Sequence, residues 1–214
     1  MNRRYIVNKK RIVALGMIVV GLLITYMSGN REDNMLDVQE GIAKKLIRFH
    51  VLANSDSDVD QELKLKVKEG VIEYIAPYLE ESDSIEESRE ILKDITPEII
   101  MVAKGIITEE GYDYEVDAGL KECYFPTKAY GDIVLPPGEY EAYEIEIGEA
   151  EGKNWWCILY PPLCFVDATC GIVPDSSKEM LRYILDEDEY QVITNATGEN
   201  VEYSFKILDW LGIK

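Results

Sequence analysis

The sequence predicts an α+β domain with a mostly antiparallel sheet and helices packed on one face, preceded by an N-terminal membrane or signal segment. Three observations carry that expectation. A basic flank runs into an apolar stretch from Ile12 to Met27. From Val59 to Ile106 apolar residues recur at helical spacing. After Gly111 the apolar period drops to that of a strand.

The N-terminus comes first. Arg3, Arg4, Lys9, Lys10 and Arg11 precede every acidic residue, the first of which is Glu32. The apolar run behind them is longer than most signal-peptide cores, about 7–15 residues, and shorter than the roughly 20 of a comfortable membrane span. Thr25 to Asn30 offers no good pair of small residues for cleavage. This favours a retained anchor, with a cleaved signal as the alternative. Either way the basic flank stays inside and the rest of the chain lies outside the cytoplasm. The expected organisation is a basic cytoplasmic flank over 1–11, an anchor or signal core over 12–27, a polar tether over 28–44 and an extracytoplasmic domain over 45–210.

The chain carries a formal net charge of −19 even with that basic flank. So acidic a domain excludes nucleic-acid binding through phosphates, and an anionic membrane surface would repel it. A basic protein surface suits it, and so does plain solubility.

Leu46 to Ala53 is expected to form a strand, followed by the turn and capping cluster Asn54-Ser-Asp-Ser-Asp58. Val59, Leu63, Val67, Val71, Ile75 and Leu79 then define a helix capped by Ser57 or Asp58, with Pro77 limiting it to about the preceding turn. Ser84-x-x-Glu87 opens a second helical stretch, which Thr96-Pro97 divides if it acts as a new start. Tyr112 to Leu120 alternates apolar and acidic residues, and Tyr143, Ile145 and Ile147 alternate with Glu144 and Glu146. The latter strand is expected to pair as a hairpin with the strand that begins at Asn154. Ser176-x-x-Glu179 starts a short helix, and Val201 to Ile207 is expected to close the sheet.

The least ordinary stretch is Gly152 to Phe165. Trp155 and Trp156 face opposite sides of an apolar strand that Pro161-Pro162 terminates. If either tryptophan is exposed, it is a natural contact residue, and Tyr160 belongs with them; if both are buried, they are core. Cys157 and Cys164 are close enough in sequence for a disulfide across that turn, and two buried thiols fit equally. Cys123 and Cys170 are left to pair or to stay reduced.

His50, the one histidine, lies mid-strand near Asn54 and Asp56, which have the chemistry to orient an imidazole. This polar cluster is the candidate functional group, although a hydrogen-bonded structural histidine fits the same pattern. A Cys–His nucleophile pair is formally available, with Cys164 the best-placed thiol, but no cation activates it locally. No paired cysteine knuckle, phosphate loop, nucleophile elbow or calcium loop is present. No catalytic residue, metal, cofactor or small-molecule substrate is therefore expected.

Three motifs then accumulate: Ile47-Arg-Phe-His-Val-Leu-Ala-Asn-Ser-Asp-Ser57 with Asp60-Gln-Glu-Leu-Lys-Leu-Lys-Val67; Phe125-Pro-Thr-Lys-Ala-Tyr-Gly-Asp-Ile133 with Leu135-Pro-Pro-Gly-Glu-Tyr140; and Asn154-Trp-Trp-Cys-Ile-Leu-Tyr-Pro-Pro-Leu-Cys-Phe165. Together they resemble the stage II sporulation protein R family of endospore-forming Firmicutes, from about residue 45 to 170. The resemblance implies a non-enzymatic signal exported from the forespore into the space between the forespore and mother-cell membranes. It implies a partner there, the membrane-embedded aspartic protease stage II sporulation protein GA, which processes pro-sigma-E. It assigns no catalytic residue. An extracytoplasmic hydrolase using His50 with a Cys or an acid is the competing reading.

Overall fold

Ile47–Leu52 forms strand β1, and its residues are buried in both directions except at Leu52. A strand buried on both sides belongs in the middle of a covered sheet, and that is where it lies. The structure is a computed structural model that describes residues 36–164 and 173–195. Its helices are α1 (described over 36–44), α2 (Asp58–Glu80), α3 (Ile85–Asp94), α4 (Thr96–Glu109), α5 (Asp175–Ile184) and α6 (Glu187–Asn195). The remaining strands are β2 (Val116–Phe125), β3 (Lys128–Tyr130), β4 (Ile133–Leu135), β5 (Gly138–Ile147) and β6 (Asn154–Tyr160).

The main sheet has the order β2-β5-β1-β6, and β3 pairs with β4 as a separate two-stranded ribbon. β2 pairs with β5 and β1 with β6 antiparallel, while β1 runs parallel to β5. The domain is α+β, and the sheet is mixed rather than antiparallel throughout. β5 and β6 do not form the expected hairpin, because β1 sits between them. Alternation reports which face a strand buries but not which neighbour it takes. The most fully buried strand takes an inner slot, where both faces and both edges are covered.

Helices also cover both faces rather than one. Phe49, Val51, Tyr143, Ile145 and Leu159 pack against the stripe of α2 and α4 that includes Val67, Val71, Ala103 and Ile107. On the other face Tyr140, Ala142 and Ile158 meet Ile42 of α1, Leu181 of α5, Ile193 of α6, and Ile133 and Leu135 of the small ribbon. The short C-terminal helices and the tether end supply this second layer. Their apolar residues are too few and scattered to announce it. The small ribbon turns at Gly131, whose φ of 58° lies in the left-handed region that glycine adopts without strain.

Local signals place the helices well. Ser57 caps α2, its Oγ accepting from the Asp60 amide at 3.3 Å. Ser84 caps α3 in the same way through Glu87, and α3 and α4 are separate helices that meet at Ile95. One expectation fails: α2 continues through Pro77 to Glu80. Pro77 lies in the final turn, where only one intrahelical donor is lost, and Leu79 beyond it is buried in the core. The run Ile12–Met27, Cys170 and the expected strand over Val201–Ile207 lie outside the described residues. Among the described residues no helix is long and apolar enough to cross a membrane.

The loop between β5 and β6 is clamped onto the turn between β1 and α2. Gly152 donates to the Ala53 carbonyl at 2.9 Å, and a side chain at Gly152 would collide with the Ser55 carbonyl oxygen, 2.3 Å from the added carbon. Gly152→Ala must displace backbone, so it is expected to cost about 1–3 kcal/mol. Denaturant unfolding of the variant checks this; unchanged stability would mean that the loop yields freely.

Candidate functional site

The capping motif after β1 does structural work. Asn54 donates to Asp60 Oδ2 at 3.0 Å and accepts from the Glu149 amide at 3.0 Å. Asp56 accepts from the Lys153 amide at 2.7 Å. Gln61 donates to the Ser55 carbonyl, and Lys64 to the Lys153 carbonyl. None of these partners is His50. The expected polar cluster of His50, Asn54 and Asp56 is therefore not assembled: Asn54 and Asp56 hold the β5–β6 loop, while His50 projects from β1 into the opposite layer.

There His50 meets different company. Its ring stacks on Trp156, with centroids 4.0 Å apart and planes 12° apart, and lies 5.7 Å from the Phe125 ring. Its Nδ1 is 3.1 Å from Glu144 Oε2. The Cys123 thiol donates to the same Oε2 at 3.4 Å. His50 and Glu144 are direct partners across the β1–β5 ladder. Cys123 is not: it opposes Tyr140, while Glu144 opposes Gly119. The β2–β5 ribbon must curl over this face to bring them together, and the Phe125–Trp156 contact at 4.6 Å records the same curl. Lys121 completes the surroundings, its Nζ 3.0 Å from Glu144 Oε1 and 2.9 Å from Glu146 Oε1.

His50 is 5% exposed, and among the described residues neither ring nitrogen has a partner in hydrogen-bond geometry. The close approach of Glu144 does not meet hydrogen-bond geometry. Burial pushes the imidazole down to about 4; Asn154 and Glu146 offset only part of that shift, and Arg48 and Lys121 add to it. Burial also pushes the Cys123 thiol up to about 12, reinforced by the Glu144 charge. Near neutrality both groups are uncharged. A thiolate–imidazolium pair, the form a cysteine nucleophile needs, is the reverse of this arrangement.

His50 is the one histidine in the chain, so its imidazole resonances titrate alone. The expected NMR midpoint is about 4, and a midpoint near the ordinary value of about 6.5 would mean a solvated ring. Between those values the unfolded chain binds the extra proton and the folded one does not. Stability is therefore lost as pH falls through that window, and His50 contributes no pH dependence above it.

Trp155 is half-buried against Phe49, with Lys68 Nζ 5.1 Å from its ring, and Trp156 is half-buried between His50 and Phe125. Both lean on the domain. Tyr160 lines a surface groove with Pro161, Pro162, Met180 and Tyr183, and Glu80, Asp83 and Glu179 also line it. Tyr183 is 91% exposed. Cys157 and Cys164 are joined as a disulfide with Cα atoms 5.7 Å apart, so Cys164 is not a free thiol. Arg48, which sequence reasoning passes over, is fully buried. It donates through Nε to the Cys157 carbonyl and through Nη2 to the Tyr130 hydroxyl.

Fold and site together define a class: a mixed α+β domain with a histidine–cysteine–carboxylate cluster on one face of its sheet. The chain belongs to the stage II sporulation protein R family, whose model matches residues 43–170. A relative, Stage II sporulation protein R of Bacillus subtilis (strain 168), is 35% identical over 182 residues, covering 79% of this chain and 81% of the relative. The three sequence motifs all fall inside the matched span. No solved structure matches.

Proposed function

We propose that this protein is a sporulation signal that acts outside the cytoplasm, between the forespore and mother-cell membranes. It activates the membrane-embedded aspartic protease stage II sporulation protein GA, so that pro-sigma-E is processed in the mother cell. The observation that carries this reading is family membership across the whole of the clamped β1–α2 and β5–β6 region. Three features support it. The basic flank and apolar run at the N-terminus suit export with the domain outside. A disulfide between Cys157 and Cys164 suits an oxidising compartment. The paired neutral states of His50 and Cys123 suit a ligand rather than a hydrolase.

Of the three aromatic residues expected at a contact, Tyr160 has the surroundings that best suit one. It shares its groove with the exposed Met180 and Tyr183, and aromatic and methionine side chains are favoured at interface centres. Trp155 and Trp156 shape the sheet beneath. The test is co-production of the full chain with the protease and pro-sigma-E in a host that does not sporulate. Shortening of pro-sigma-E only when this chain is present is the expected result. Unprocessed pro-sigma-E, with all three proteins made and the chain exported, overturns the reading.

A further inference from the structure

We propose that His50, Cys123 and Glu144 form a binding site for a zinc-class divalent cation, held by an imidazole nitrogen, a thiolate sulfur and a carboxylate oxygen. This goes beyond the signalling reading and does not depend on it. The three ligand atoms lie within 4.8 Å of one another. Zinc bonds of about 2.0–2.3 Å at tetrahedral angles set neighbouring ligand atoms roughly 3.3–3.6 Å apart. Cys123 Sγ is 3.4 Å from Glu144 Oε2, and His50 Nδ1 is 3.1 Å from the same oxygen. Two of the three ligand pairs are thus already close to coordination spacing, and the third, His50 to Cys123, lies within 4.8 Å.

A second observation points the same way independently. His50 is buried, and among the described residues neither ring nitrogen has a partner in hydrogen-bond geometry. Buried polar atoms are rarely left so, and a metal ion is a standard resolution. The ring is already held in place, because Trp156 stacks on it and Phe125 packs against it. A neutral imidazole is the form that ligates. Lys121 supplies the supporting shell by holding Glu144 Oε1 at 3.0 Å, which leaves Oε2 to the ion.

The donor set selects the ion. A thiolate and an imidazole favour zinc-class metals over magnesium or calcium, which take oxygen ligands. As the Sγ–metal bond forms, the Cys123 proton passes to solvent. The ion's two positive charges are then balanced by the thiolate and the carboxylate, so the half-buried site becomes neutral. Cys123 is only half-buried, which leaves an entry path and a fourth position for water. The ligands come from β1, β2 and β5, which explains why no knuckle spacing marks them in the sequence.

Cobalt(II), a spectroscopic stand-in for zinc, tests this with the full chain purified metal-free in detergent. The expected result is one cobalt per chain with a thiolate-to-cobalt charge-transfer band that zinc removes. Cys123→Ser is expected to abolish the band. His50→Gln and Glu144→Gln are expected to weaken binding by about tenfold or more. Cys170→Ser is expected to change nothing. Absence of the band in the native chain, its survival in Cys123→Ser, or its loss in Cys170→Ser overturns the assignment. Because Cys123→Ser could unfold the domain, X-ray absorption of the zinc-loaded native chain gives a second arm. One sulfur neighbour at about 2.3 Å is expected, and a shell of nitrogen and oxygen alone overturns the site.

Discussion

Arg48→Ala is expected to destabilise the domain by about 3–5 kcal/mol, while Arg48→Met costs clearly less and Arg48→Lys at least as much as Met. Arg48 is fully buried, with no carboxylate among its hydrogen-bond partners. Aromatic faces surround the guanidinium instead: its centre is 4.2 Å from the Phe125 ring centroid, 4.9 Å from that of Tyr140 and 5.7 Å from that of Tyr130. Burial pushes its pKa below the ordinary value, and among the described residues Nη1 has no partner. The group is thus held by a planar slot and two hydrogen bonds, and its charge is a cost. Alanine loses the slot filling and leaves the Tyr130 hydroxyl unpaired. Methionine fills much of the slot without a charge to desolvate. Lysine keeps the charge but, as a compact point, loses the stacking. Chemical denaturation of the three variants checks the order, and a methionine variant as unstable as alanine would show that the charge itself contributes.

Arg48 also shows where the sequence is legible and where it is not. Its strand is clear, because β1 is a dense apolar run bounded by a capping cluster. Its burial is not, because an arginine in a strand more often lies at a wet edge. The central place of β1 depends on pairing with β5 and β6, which are about a hundred residues away, and period-2 alternation contains no partner information. The helices α2, α3 and α4 are legible from caps and periodicity, since those interactions lie within a few residues of each other. The exception is Pro77, which the burial of Leu79 overrides.

The site divides in the same way. Asn54, Asp56 and Asp60 are visible as a polar knot next to a helix start. The distant partners of Asn54 and Asp56, the Glu149 and Lys153 amides, belong to a loop almost a hundred residues on, so the knot suggests chemistry where it makes a clamp. His50 stands out as the one histidine. Its neighbours Cys123 and Glu144 carry no signal, because the curl of the β2–β5 ribbon places them together against the ladder register. Trp155 and Trp156 do project to opposite faces, as alternation requires, and each finds a lysine over its outer side.

The clamp gives the second large effect. Asp60→Ala is expected to cost about 3 kcal/mol, since hydrogen bonds to a buried charged group are worth roughly 1.5–3 kcal/mol each and are not fully additive. Asp60 is buried at the first turn of α2. Its Oδ2 accepts from Asn54 at 3.0 Å and from the Ser55 hydroxyl at 2.5 Å, and its Oδ1 accepts from the Tyr114 hydroxyl at 3.1 Å. Burial alone would raise its pKa, but these hydrogen bonds, with Ser57, outweigh it and hold the carboxyl below the ordinary value. The unfolded carboxyl therefore takes a proton near pH 4 and the folded one only at lower pH. The stability that Asp60 contributes is complete above the unfolded pKa and is lost as pH falls through the folded one. Asp60→Asn keeps the shape but turns one acceptor into a donor facing donors, so most of the loss is expected to persist. Tyr114→Phe removes one bond and is expected to cost about 1 kcal/mol alone, and less in the Asp60→Ala background, where its partner is already gone. Unfolding at neutral pH and at pH 3 checks both effects. A cost of Asp60→Ala that does not shrink in acid would mean that the clamp depends on packing and not on the carboxylate.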